Sequence, residues 1–110
     1  MEKIHIVEHT VLKSSQSIAQ FVMPIEFSTC TGIMIVSETL GYTTLEMLVD
    51  SKEVFPKNFD ARLIRFTEQN SRNNVTWPLK EAVSNKTIKL TFSPKGMTAD
   101  ELVRIYFFVQ

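Results

Sequence analysis

An antiparallel β-sandwich of seven or eight short strands, of jelly-roll or immunoglobulin-like type, is the fold this sequence predicts, and three features lead there. The first is a hydrophobic period of two. In TTLEMLVD, Leu45, Met47 and Val49 share one face while Thr44, Glu46 and Leu48 share the other; in TIKLTFS, Ile88, Leu90 and Phe92 alternate with Thr87, Lys89 and Thr91. The second is the spacing of turn-forming residues, at Ser37 to Gly41, Asp50 to Lys52, Pro56 to Asn58, Gln69 to Asn74, Ser84 to Lys86 and Ser93 to Gly96. The third is a pair of runs, GIMIVS from Gly32 and VRIYFFV from Val103, that are apolar at both parities. Such strands are covered on both sides, by a second sheet or by a neighbouring subunit.

Length and charge narrow the function classes. A chain of 110 residues with 44% hydrophobic and 22% charged content is expected to form one domain over residues 1–110. Twelve basic residues balance twelve acidic ones, so no excess field attracts a polyphosphate chain and direct nucleic-acid binding is not expected. The same neutrality suits a protein that packs against copies of itself or a partner. No run of roughly eighteen apolar residues is present, which argues against a helical membrane span. MEKIHIVEHTVLK carries Glu2 and Glu8 and does not read as a secretory signal, so folding in a cytosol is expected, and the Asn74-Val75-Thr76 and Asn85-Lys86-Thr87 sequons carry no weight. The single cysteine, Cys30, agrees with a reducing compartment and reads as a small packed residue at the start of a strand.

Taken in order, the amino-terminal segment reads as an edge strand bearing His5 and His9. In SSQSIAQFVM the residues Ile18, Phe21, Val22 and Ile25 also match helical spacing, with Ser14 or Ser15 as a cap; Pro24 in the last turn tips the reading of residues 14–25 toward a strand, with the helix as the alternative. A one-turn helix is expected around Pro78 to Val83, where proline suits the first helical position. In MTADELVRIYFFVQ, Thr98 and Glu101 have capping-box spacing, but Ile-Tyr-Phe-Phe-Val suits a pleated surface better, so a turn at 98–101 followed by a strand is expected.

Candidate chemistry is sparse. His5 and His9 have metal-ligand spacing on a helix, but on a strand they stand about 13 Å apart at roughly 3.3 Å per residue, too far for one ion. Asp50, Glu53 and Asp60 bracket the stretch EVFPKNFDARLIRF; a catalytic pair among them is one reading, and turn chemistry at Asp50 and Asp60 is the simpler one. Phosphate-loop and nucleophile-elbow patterns are absent from the sequence. Within the stretch, Phe55 and Phe59 are expected to plug the open end of the sandwich, with Phe55 the more exposed of the two. Pro56 ends a strand, and Asp60 fastens the turn into a strand from Ala61. Arg62 and Arg65 would then point to opposite faces, one pairing with an acid and the other meeting solvent or a partner. Trp77, the single tryptophan, reads equally as core or as an interface anchor.

The stretches EVFPKNFDARLI, NNVTWPLKEAVSNKTIKLTFSP and ELVRIYFFV, in this order within residues 30–110, resemble the small all-β virion accessory proteins of tailed bacteriophages, of the capsid-auxiliary or head-fibre type. The resemblance lies in order and spacing of strands and transfers no functional residue. It implies a non-enzymatic structural or assembly protein of the virion, put together in the host cytoplasm, without cofactor, docking on capsid protein or on sister copies as a homo-oligomer. Phe55, Pro56, Phe59, Arg62 and Trp77 are the interface candidates. Two other classes compete: a carbohydrate-binding module with Trp77 and Tyr42 as a stacking platform, and a small enzyme in which Asp50, Glu53 or a histidine converge in a pocket.

Overall fold

The computed structural model describes residues 2–37, 41–66 and 77–110. Among them run nine strands: β1 (Lys3–Val11), β2 (Ser17–Val22), β3 (Thr29–Val36), β4 (Tyr42–Val49), β5 (Lys52–Phe55), β6 (Arg65–Phe66), β7 (Trp77–Ala82), β8 (Thr87–Gly96) and β9 (Glu101–Val109). One sheet has the order β1-β9-β3, with β6 and β7 both pairing the far side of β3; the facing sheet has the order β2-β8-β4-β5. The antiparallel pairs are nested: β1 with β9, β2 with β8, β3 with β7 and β4 with β5. That nesting is a long hairpin rolled across two sheets, the jelly-roll connectivity, and it decides between the two sandwich types.

The core lies between the sheets and follows the period of two. Leu45, Met47 and Val49 of β4 and Ile88, Leu90 and Phe92 of β8 meet Ile33 and Ile35 of β3 and Val103, Ile105, Phe107 and Val109 of β9, all buried. The strand reading of the second segment holds: Ser17 and Ala19 of β2 are buried while Ile18 and Val22 face outward. Pro24 lies just beyond the strand, where no ladder bond is required of it. β9 is buried along its inner face, but the double coverage its composition predicts holds only near its carboxyl end, since Leu102 and Arg104 on the outer face are exposed. On that outer face Phe108 and Met34 of β3 are buried in a second cluster, with Val36 and Tyr106 packed beside them.

Three expectations need correction. Residues 78–82 are strand β7 rather than a helical turn, because pairing with β3 supplies backbone partners that one isolated turn lacks. Pro78 is tolerated there since β7 is an edge strand. Ser93 to Gly96 continue β8 instead of turning: β2 ends its pairing at Phe92, so Pro94 meets only β4, at a register shift between Tyr42 and Thr43. The chain reverses at 97–100 instead. Arg62 is not on a strand, because Ala61–Ile64 form a 3₁₀ turn. The Asp50 and Asn85 turns are present, each with φ of 54°, a left-handed conformation that Asp and Asn tolerate better than other side chains. The expected turn at Gln69 to Asn74, the Asn74 sequon, and Glu38 to Leu40 lie outside the described residues, as does the side chain of Arg65.

Because Phe107 sits in the buried face of β9 and Leu102 on its exposed one, Phe107→Ala is expected to cost about 3–5 kcal/mol and Leu102→Ala less than about 0.5 kcal/mol. Urea unfolding of the two variants checks this; equal losses would place β9 elsewhere than in the core.

Candidate functional site

The segment that follows β5 is built by local bonds. Phe59 N–H donates to the Pro56 carbonyl at 3.0 Å, closing the Pro56 turn, and the Phe59 carbonyl accepts from Leu45 N–H at 2.8 Å, tying the turn to β4. Asp60 Oδ1 accepts from Arg62 N–H at 3.0 Å, the expected aspartate contact two residues on, and Leu63 N–H donates to the Asp60 carbonyl at 3.1 Å. This cap starts the 3₁₀ turn in place of the expected strand. The Arg62 guanidinium returns to the same carboxylate, Nε to Oδ1 at 3.2 Å and NH2 to Oδ2 at 3.0 Å. These bonds hold the Asp60 carboxyl below its usual pKa. Above the cap, the Arg62 guanidinium carbon lies 4.6 Å from the Tyr42 ring centroid.

Three rings join this segment to the opposite sheet. Phe55 and Phe59 stack with centroids 4.3 Å apart and planes 6° from parallel. The Trp77 indole meets both edge-on, at 6.3 Å from Phe55 and 5.1 Å from Phe59. Since β5 and β7 are edge strands of opposite sheets, the rings close the side of the sandwich instead of its end. Lys52 and Glu81 add an ion pair of 2.9 Å across the same gap.

The order of exposure of the two phenylalanines is the reverse of the expectation. Phe55 is only 2% exposed, and Phe59 is half-buried above it. The cause is a register shift: Leu48 faces Glu53 and Met47 faces Phe55, so Val54 is skipped and Phe55 turns onto the core parity of Met47. Phe55 is therefore not available to a partner surface. Trp77 packs edge-on against Phe59 yet is 39% exposed, so it is not a core residue. Pro56, Arg62, Tyr42 and Leu63 are also exposed. Leu63 was not legible as a surface residue, because its apolar type in DARLIRF carries no mark of the 3₁₀ turn that turns it outward.

The acids do not converge. Asp50 Oδ1 accepts from Thr87 N–H at 2.9 Å, a bond across the sheet, Asp60 holds Arg62, and Glu53 is exposed on β5. An open polar hollow of about 440 Å³ beside the β4–β5 turn is lined by Asp50, Lys52, Lys80, Glu81 and Lys86, with Glu81 already paired to Lys52. Among the described residues no group of three His, Cys, Asp or Glu side chains is placed to hold a metal ion. The histidines sit at the opposite side, on edge strand β1. His9 shares a 3.0 Å hydrogen bond with Ser17 and stacks on Phe92 at 5.3 Å, and His5 lies 5.6 Å from Phe21. Cys30 is buried, its thiol pushed up to about 11 mainly by desolvation. No family model, curated protein or solved structure matches this chain.

Two outcomes follow. Phe55→Ala is expected to cost about 3–5 kcal/mol and Phe59→Ala about 1–2 kcal/mol; denaturation midpoints in which Phe59→Ala is the more damaging would contradict the stacking order. Burial holds the His9 imidazole below its ordinary 6.5, so on acidification the unfolded chain takes up this proton first. Stability is thus undiminished by His9 above about 6.5 and falls as the pH drops from there toward the folded pKa. His9→Gln is expected to flatten this part of the melting-temperature profile between about pH 7.5 and about pH 5; an unchanged slope would mean that His9 is not desolvated.

Proposed function

We propose that the chain is a non-enzymatic structural or assembly protein of a phage virion, docking on capsid protein through the surface around Trp77. The observation that carries docking is the exposure of Trp77, seated edge-on against Phe59, together with the exposed Tyr42, Arg62 and Leu63, where Arg62 of the turn after Phe59 lies over the Tyr42 ring. Tryptophan, tyrosine and arginine are the residue types that dominate protein–protein binding energy, and a preorganised mount lowers the entropy lost on docking. The jelly-roll connectivity supports the virion setting in a general way, since capsid domains are among its frequent users, although a fold alone selects no function. The resemblance of the strand order to phage accessory proteins supplies the rest.

The half-exposed Trp77 and Tyr42 rings also favour a second reading, a carbohydrate-binding module in which they stack on sugar faces. Leu63→Glu separates the two. It is expected to leave the melting temperature within a few degrees, because Leu63 is exposed, and to weaken attachment to the purified particle about tenfold, roughly 1.4 kcal/mol. Particles that lack the chain altogether, or that retain the Leu63→Glu variant fully, would defeat the virion reading. Binding on a glycan panel that disappears with Tyr42→Ala would establish the other.

A further inference from the structure

The edge strands of this sandwich are unequally protected. β5 has four residues, breaks register beside Val54, precedes Pro56 and is clasped to β7 by rings and the Lys52–Glu81 pair. β7 contains Pro78 and breaks register near Gly32. β2 has six residues and runs toward Pro24. Short length, bulges and proline are the features by which natural sheet edges avoid pairing with other chains. β1 has none of them. Its nine residues, Lys3–Val11, keep an unbroken one-to-one register with β9 and contain no proline. Among the described residues, no backbone hydrogen bond leaves β1 except to β9. Ile4 and Ile6 stand on its outer face, 52% and 49% exposed, beside Phe108 and Tyr106 of β9.

We propose that β1 is a pairing edge for the β1 strand of a second copy of this chain, antiparallel about a two-fold axis at Val7, which joins the two β1-β9-β3 sheets into one. The residue pattern of KIHIVEHTV selects its own copy as the occupant. About Val7 the inner face sets His5 opposite His9 of the second copy and Lys3 opposite Val11; the outer face sets Ile6 opposite Glu8 and Ile4 opposite Thr10. All nine residues overlap and every inner residue meets an inner residue, so both copies keep their core parity. Like charges never face each other across this seam. Lys3 and Glu8, the charged residues of β1, both meet uncharged side chains, and Glu8 stays within 3.6 Å of its own Arg104. A formal net charge of zero adds no long-range repulsion between copies. An isologous seam of this kind is the commonest closed form of homodimer. It concerns a different side of the molecule from the Trp77 surface and stands whether or not that surface binds a capsid.

Sedimentation equilibrium on the purified chain at high micromolar concentration is expected to show a dimer. Ile6→Glu, which sets a carboxylate opposite Glu8 of the second copy, is expected to weaken it at least about tenfold while leaving the melting temperature within a few degrees. Ile18→Glu, a comparably exposed site on β2, is expected to leave the dimer intact. In the unmodified chain, amide exchange along residues 3–11 is expected to slow as concentration rises. A monomer at those concentrations, equal weakening by both variants, or β1 exchange independent of concentration would overturn the proposal.

Discussion

β9 is paired on both of its hydrogen-bonding sides, with β1 and with β3, and its place inside the sheet constrains the rest of the molecule. Its odd positions, Val103, Ile105, Phe107 and Val109, fill the space between the sheets, while Phe108 is buried on the other side with Met34. With both ladder sides occupied, β9 lies between β1 and β3. The first strand is thereby sent to the edge and β3 to the interior. The remaining antiparallel pairs then nest as the chain rolls across the gap, since each later strand must find a partner within the second sheet or on the free side of β3.

The two long sides of the sandwich are closed by different chemistry. Between β5 and β7 the closure is aromatic: two stacked phenylalanines, an indole against their edges, and the Lys52–Glu81 pair. Exposed ion pairs contribute little on their own, so the rings carry most of this closure. Between β1 and β2 the closure is lighter, with the half-buried His5 and His9 laid over Phe21 and Phe92 and one hydrogen bond to Ser17. The lighter side leaves a backbone ladder open.

Polar groups that suggest chemistry in the sequence are engaged in building the frame. Asp50 receives the Thr87 amide, Asp60 caps the 3₁₀ turn and holds Arg62, and Cys30 is packed inside with a raised thiol pKa. A carboxylate held below its ordinary pKa by a neighbouring guanidinium is a poor proton acceptor at neutral pH, which suits Asp60 to holding a turn.

The sequence by itself determined the class of fold, the core faces of β4 and β8, the central character of β9 and the two-residue reach of Asp60, because each follows from alternation or from bonds within a few residues. Local spacing also located the Phe55–Arg62 segment as a corner. Only the tertiary structure decided between jelly-roll and immunoglobulin-like connectivity, since strand order depends on which distant ladders pair. Pairing with β3 turned the Pro78 segment into a strand, and the end of β2 let Pro94 continue β8. The skipped Val54 buried Phe55 beneath Phe59 and brought Trp77 against them, because a one-residue register shift reverses which face a side chain takes, and no spacing within the chain records where a ladder slips.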